Sequence, residues 1–220
     1  MSTIHYQDHT GTARVFQTTE RMLPFLKPIL EGSVYPPTIH CQQPRVILDI
    51  GANHGAATVF FAETHPQARL FAFEPASAAF ALLTRNVAFL GDRVTRFNAG
   101  ILDQAGEHRL YAGPCNEGEA SIHADDGRDA SVFEQARFLP LQDFPGIALD
   151  EVDIVKIDVE GAECEVLSNV LAHCDPRVIY IEYQNAANRL RIEQALLGRM
   201  HLVMCRVLSL HTGEMIYARA

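Results

Sequence analysis

Val46-Ile-Leu-Asp-Ile-Gly-Ala-Asn-His-Gly55, followed by Leu70-Phe-Ala-Phe-Glu-Pro75, decides the fold. The first stretch is an apolar strand running into a turn bracketed by Gly51 and Gly55; a helix must follow before the second apolar strand, Arg69–Phe73. That strand ends on the carboxylate Glu74, 23 positions after Gly51, close to the spacing of a ribose-binding acidic residue. An open α/β sheet builds a nucleoside pocket in this way, at the carboxyl ends of neighbouring strands.

Outward from this unit the alternation continues. Helices are expected over Gly55–His65 and Ala76–Leu90, the second carrying Phe80, Leu83, Val87 and Leu90 on one apolar stripe and stopped by Gly91. Val94–Asn98 reads as a third strand, and Ile154–Ile157 and Val178–Ile181 as two more, each of these last two followed by a helix, over Gly161–His173 and Ala186–Gly198. Leu202–Leu208 and Met215–Ala218, joined through His211-Thr-Gly-Glu214, read as an antiparallel hairpin. The series predicts a doubly wound, mostly parallel α/β sheet with an antiparallel C-terminal edge. Residues 100–148 break the rhythm, with a turn at Gln104-Ala105-Gly106 and a polar stretch, Gly113–Asp129, that reads as a mobile surface loop. Phe133, Phe138 and Phe144 either line an apolar pocket or belong to the core.

Upstream, residues 1–44 read as a helical cap and linker, and 45–220 as the main domain. Val15, Met22, Leu26 and Leu30 lie at near-helical spacing, bent at Pro24 and Pro28, and Gly32–Pro44 leads into the first strand. The cap and the 113–131 loop are expected to close over the acceptor site.

A formal net charge of −9 with no basic run argues against a nucleic-acid partner. The longest apolar stretches are short strands and Met1–Arg14 lacks a signal pattern, so a cytoplasmic location with no membrane contact is expected. Five cysteines, Cys41, Cys115, Cys164, Cys174 and Cys205, with no C-x-x-C pair, read as free thiols. An exposed apolar N-terminal helix would suit a homodimer.

The turn itself discriminates between ligands. Dinucleotide turns bring a pyrophosphate against bare backbone, but Asn53 stands where the second glycine would be, and Asp49 adds a carboxylate beside it. A carboxylate repels phosphate and suits a sulfonium or an α-amino group, which points to S-adenosylmethionine (SAM) rather than NAD. Strand termination without a ligand is the plain alternative. A second acidic stretch, Asp153-Ile-Val-Lys-Ile-Asp-Val-Glu-Gly-Ala-Glu163, puts Asp158 at a strand end with Glu160 and Glu163 on the entering helix turn. These carboxylates could accept a proton, bind substrate, hold a divalent ion such as Mg²⁺, or merely stabilise the helix dipole. Mg²⁺ is not the preferred reading, no metal site is assigned, and nothing suggests zinc. Glu182 ends the next strand on the same rim, His54 is a second candidate base, and Lys156 either pairs with a carboxylate or points outward.

With Asp49-Ile-Gly-Ala-Asn-His-Gly55, Phe71-Ala-Phe-Glu-Pro75, Asn98-Ala-Gly-Ile-Leu-Asp103 and Lys156-Ile-Asp-Val-Glu-Gly-Ala-Glu163, the chain resembles the FkbM family of SAM-dependent methyltransferases, which use a Rossmann-like seven-stranded sheet. The resemblance covers residues 46 to about 184. It implies that Asp49, Gly51, Ala52, Asn53 and Gly55 surround the methionine end of SAM, that Glu74 and Pro75 hold the ribose, and that Asn98 and Ala99 border the adenine. It implies further that Asp158, Glu160 and Glu163 lie near the methyl group and the acceptor; Asp158 and Glu160 are the candidate bases, and Glu163 and, from its place on the rim, Glu182 are the candidate substrate residues. His54 stands where the family often has a hydrophobic or small residue, and the chain after Asn185 matches nothing specific. The implied activity is O-methylation of a small hydroxylated metabolite, a natural product or sugar. An NAD-dependent oxidoreductase and a non-catalytic SAM-binding protein are the alternatives.

Overall fold

In a computed structural model, residues 1–8, 10–37, 39–113, 117–124 and 128–219 are described. Residues 2–18 form a hairpin in which β1 (Ser2–Gln7) and β2 (Ala13–Thr18) pair antiparallel, Ile4 opposite Phe16. Helix α1 (Leu23–Leu30) follows and contains both Pro24, in its first turn, and Pro28. This corrects the helical reading of residues 14–22. Ile4, Tyr6 and Phe16 alternate into the core while Val15, assigned above to a helical stripe, is 61% exposed. A period of two, not 3.6, governs that segment. Met22, Leu26 and Leu30 are the buried residues at and within α1.

The main sheet is assembled from β3 (Val46–Ile50), β4 (Arg69–Phe73) and β5 (Val94–Phe97), with α2 (Ala56–Thr64) and α3 (Ser77–Asn86) between them. Three further strands, β6 (Gly100–Ile101), β7 (Gly106–Tyr111) and β8 (Phe133–Leu139), form a separate small sheet in the order β6-β8-β7. The main sheet resumes with β9 (Val152–Ile157), α4 (Glu163–His173), β10 (Val178–Tyr183), α5 (Ala186–Leu196), β11 (His201–Val207) and β12 (Gly213–Ala218). Its order is β11-β12-β10-β9-β3-β4-β5, parallel except for β12, which runs antiparallel to both neighbours. The doubly wound seven-stranded sheet and its C-terminal hairpin are as the sequence predicts.

Both faces of the central strands are covered, so β3 and β9 are buried along their whole length. Ile47, Leu70 and Ile154 pack toward α1, α2 and the β1–β2 hairpin, with Leu83 and Val87 of the α3 region. Leu48, Phe71 and Val155 pack on the opposite side against Val166, Leu167, Ile192 and Leu196 of α4 and α5. The aromatic rings of Tyr35, Phe61 and Tyr180, with centroids 5.5–5.7 Å apart, fasten the segment after α1 to the sheet. Cys41 and Cys174 are buried free thiols, Cys164 is half-buried and Cys205 exposed; Cys115 lies outside the described residues. No helix among the described residues is long and apolar enough to cross a membrane.

The hairpin assignment has a direct test. Phe16 is 1% exposed, so Phe16→Ala should cost about 3–5 kcal/mol of unfolding free energy in urea titration. Val15→Ala, at the neighbouring exposed position, should change it by no more than about 0.5 kcal/mol.

Candidate active site

The sheet's carboxyl edge is where the strands deliver their polar ends. Gly51 adopts φ +80°, and an added Cβ would lie 1.8 Å from the Asp158 carbonyl oxygen, so only glycine fits beside β9. The Gly51 and Ala52 amides both donate to the Phe73 carbonyl, at 3.0 and 2.9 Å. Asn53 has φ +49°, stabilised by its own Oδ1 accepting from the His54 amide at 2.7 Å. That conformation aims the Asn53 amide at Glu74 Oε2, 2.7 Å away. Glu74 Oε1 accepts from the Ala76 amide at 2.8 Å. Burial pushes the Glu74 carboxyl up to about 7 despite these donors.

Beneath the turn lies a buried ion network. Lys156 Nζ is 2.6 Å from the Gly51 carbonyl oxygen, 3.2 Å from Asp49 Oδ1 and 3.5 Å from Asp158 Oδ2. Asp49 is fully buried and its other oxygen accepts from Thr58 Oγ1 at 2.5 Å. Asp49 therefore does not face a ligand, as its place beside the turn suggests; its charge is answered by Lys156. Burial alone would lower the Lys156 ammonium, but Asp49 and Asp158 together outweigh it and hold the group above its ordinary value, so it stays charged.

Two cavities meet at this edge. A cleft of about 650 Å³ is lined by Gly51, Asn53, Glu74 and Pro75 on one side and by Ile101, Leu110 and Phe138 on another. A wider vestibule of about 1830 Å³ is walled by Met22, Phe25, Leu26 and Ile29 of the α1 region, and by Ala52, Tyr35, Lys156 and Glu182. Gly51, Asn53, Gly118, Asp158 and Glu160 line both. Glu160 holds φ +55°, a left-handed conformation uncommon for a non-glycine residue, and its carbonyl accepts from Ser121 Oγ at 2.6 Å. Burial first, then the neighbouring Asp158, raises the Glu160 carboxyl well above the ordinary range; Glu182 is raised in the same way and by the same leading causes.

Several expected residues lie elsewhere. His54 is 1% exposed and points to the N-terminal hairpin, its Nδ1 2.9 Å from Thr18 Oγ1; it lines neither cavity, which removes it as a base. Asn98 lines neither cavity and donates instead to the carbonyls of Glu74 (2.9 Å) and Pro75 (3.1 Å), while Ala99 packs in the core. Gly100 and Ile101, one step further, border the cleft. Gly55, at φ +91° with Leu83 2.7 Å from an added Cβ, supports the turn from behind. Glu163 is fully buried under the rim, accepting from the Gly161 amide at 2.8 Å. Phe138 lines the cleft, Phe144 is core, and Phe133 is 39% exposed. Of the expected mobile loop, 114–116 and 125–127 lie outside the described residues, whereas Gly118, Ala120 and Ile122 line the cleft. Among the described residues, no group of three or more His, Cys, Asp or Glu is placed to hold a metal ion.

A seven-stranded sheet in this order, with a glycine turn after its central strand and a carboxylate after the next, defines a Rossmann-like methyltransferase fold. Solved structures agree in fold: a putative methyltransferase, YhhF, from Escherichia coli superposes with a TM-score of 0.54 at 13% identity over 98% of both chains. A precorrin-6y C5,15-methyltransferase from Geobacter metallireducens gives 0.52 at 15% identity, covering 93% of this chain and 94% of the other. The chain belongs to the FkbM methyltransferase family, whose domain model matches residues 49–209. Methyltransferase SdnD of Sordaria araneosa is 30% identical over 155 residues, 56% of this chain and 60% of that protein. The 2-O-methyltransferase NoeI of Sinorhizobium fredii is 32% identical over 157 residues, 64% of this chain and 63% of that one. The matched part thus spans less than two-thirds of the length of these relatives.

Glu163 offers a pH test of the rim. Desolvation raises its carboxyl from 4.5 to about 7, and its Oε2, like Asn188 Oδ1, is buried without a donor. A proton on Glu163 supplies that donor, so its contribution to stability is complete below about 4.5 and is lost as pH rises through about 7. Glu163→Gln, which keeps a donor at every pH, should unfold at higher urea than wild type at pH 8.5, by about 1–3 kcal/mol, and show no gain at pH 5. Equal gains at both pH values would rule out the protonated state.

Proposed function

We propose that the protein methylates a hydroxyl oxygen of a small acceptor, using SAM bound in the cleft and Glu160 as the proton acceptor. The observation that carries this reading is the pair of cavities meeting at Gly51, Asn53, Asp158 and Glu160. The cleft fits an adenosyl donor without phosphate: its described lining contains the carboxylates Glu74, Asp158 and Glu160 and neither Lys nor Arg. Glu74 would hold the ribose hydroxyls, the Gly51 turn would take the amino-acid end, and Ile101, Leu110 and Phe138 would offer the adenine an apolar wall. SAM supplies an activated methyl group and a neutral thioether leaving group.

The chain's residues then have three tasks. The Met22–Ile29 wall and Tyr35 align the acceptor and exclude water from the junction. Asp158, held by Lys156, fixes the rim and adds negative charge opposite the sulfonium. Glu160 takes the hydroxyl proton as the oxygen attacks and the carbon–sulfur bond breaks, leaving Glu160 protonated, the acceptor methylated and adenosylhomocysteine free. Its raised carboxyl brings it toward the range where a general base works near neutral pH. Oxygen as the acceptor atom is favoured by the likeness to NoeI, a 2-O-methyltransferase.

Calorimetry tests the donor: SAM and adenosylhomocysteine should bind and NAD should not, and heat from NAD alone would replace this reading by an oxidoreductase one. Labelled methyl transfer to a panel of hydroxylated acceptors tests the base. Glu160→Gln should lower turnover on the order of 100-fold while adenosylhomocysteine affinity is kept. Wild-type turnover in that variant would move the role to Asp158. Donor binding with no transfer to any acceptor would favour a non-catalytic binding protein.

A further inference from the structure

Methyl transfer as described gives the Glu182 carboxyl, in the vestibule wall, no task. Glu182 sits directly opposite Glu214 across the β10–β12 ladder, and like charges in that position weaken a sheet. Glu214 is compensated: Arg206, its opposite across β11–β12, donates to Glu214 Oε2 at 2.6 Å from Nη2 and 3.0 Å from Nε. Lys156 is already committed to Asp49, the Gly51 carbonyl and Asp158. Glu182 makes no hydrogen bond or ion pair through its carboxyl among the described residues, and the charges that act on it most are carboxylates: Asp158, Glu160, Glu214 and Glu163. It lines the vestibule and also a smaller side pocket of about 260 Å³ walled by Tyr35, Tyr180, Met204 and Ile216.

We infer that the acceptor carries a protonated amine as well as its hydroxyl, and that Glu182 receives that amine. The inference rests on the methyl-transfer reading of the same site and specifies its substrate class. A half-buried carboxyl facing other carboxylates takes up a proton unless a cation replaces it. Lys156 and Arg206 are committed as described, and Arg128, which also lines the vestibule, donates to the Glu119 carbonyl, which leaves the ligand to bring the cation. A neutral polyol leaves Glu182 to be neutralised by a proton alone, and an anionic acceptor adds to the repulsion. The acceptor is therefore an amino alcohol or amino sugar lying with its hydroxyl at Glu160, its ammonium at Glu182 and its apolar flank against Met22, Phe25 and Leu26. Glu182 is a specificity determinant, acting on a part of the acceptor that does not react.

Three probes with one alkyl skeleton separate the possibilities: an amino-octanol, the matching octanediol and the matching hydroxyoctanoate. Each is titrated by calorimetry into protein saturated with adenosylhomocysteine. The amine should bind at least about 10-fold more tightly than the diol, with the acid weakest. Glu182→Gln should erase the difference between amine and diol while leaving the affinity for adenosylhomocysteine unchanged. The inference is overturned if the diol matches the amine, if the preference survives in Glu182→Gln, or if none of the probes binds. Should that variant fail to fold, the wild-type ranking decides alone. If adenosylhomocysteine itself does not bind, the methyl-transfer reading falls instead.

Discussion

One ammonium group organises the working edge of this protein. Lys156 reaches from β9 to the buried Asp49 of β3, to the Gly51 carbonyl and to Asp158. Ions are costly to bury, and the cost is offset here because Thr58 donates to Asp49 Oδ2, the Gly51 carbonyl accepts from Lys156, and Asp49 Oδ1 keeps its ion pair with Lys156. The consequence is positional. Pinning the Gly51 carbonyl fixes the start of the turn, whose amides then grip the Phe73 carbonyl and whose Asn53 amide meets Glu74. Glu74 and the rim carboxylate Asp158 are thus set by one network, and β3, β4 and β9 are locked in register where the cavities converge.

Much of this was legible in the sequence, for identifiable reasons. Strands buried on both faces read as unbroken apolar runs, and Gly51, Glu74 and Asp158 follow them directly, so fold and rim could be placed from local pattern. What escaped depended on contacts distant in sequence. The β1–β2 hairpin is short, and Val15 on its exposed side happens to fall in helical phase with Met22 and Leu26. The pairing of β7 with β8 spans a stretch with no pattern of its own. Lys156 could be seen, but its choice between pairing and pointing outward depends on Asp49, more than a hundred residues away. Asp49 was misread for the same reason: its partner, not its position, decides what it faces. His54 stands in the turn motif yet faces away, because Asn53 takes the left-handed conformation and turns the chain beneath Thr18.

The raised carboxylates divide by what surrounds them. Glu163 is raised by burial within the protein, lines no cavity, and has a structural neighbour in Asn188. Glu74, Glu160 and Glu182 are raised as well, yet each faces one of the cavities. Burial inside the protein favours the first in its protonated form; the others pay a desolvation cost that a ligand can offset. Such groups lower stability in the absence of ligand and mark where binding free energy is to be recovered.

That distinction also orders the two carboxylates at the junction. Asp158 is engaged by Lys156 and is coupled to the glycine turn, so neutralising it would disturb the network that places the donor. Glu160 is attached differently: its backbone is held in a left-handed conformation by Ser121 while its carboxyl projects where both cavities open. A residue whose main chain is fixed and whose side chain makes no ion pair among the described residues can gain and lose a proton without moving that network. Under the proposed reaction the division of labour follows from this: Lys156 and Asp158 hold the geometry, and Glu160 is left to take the proton.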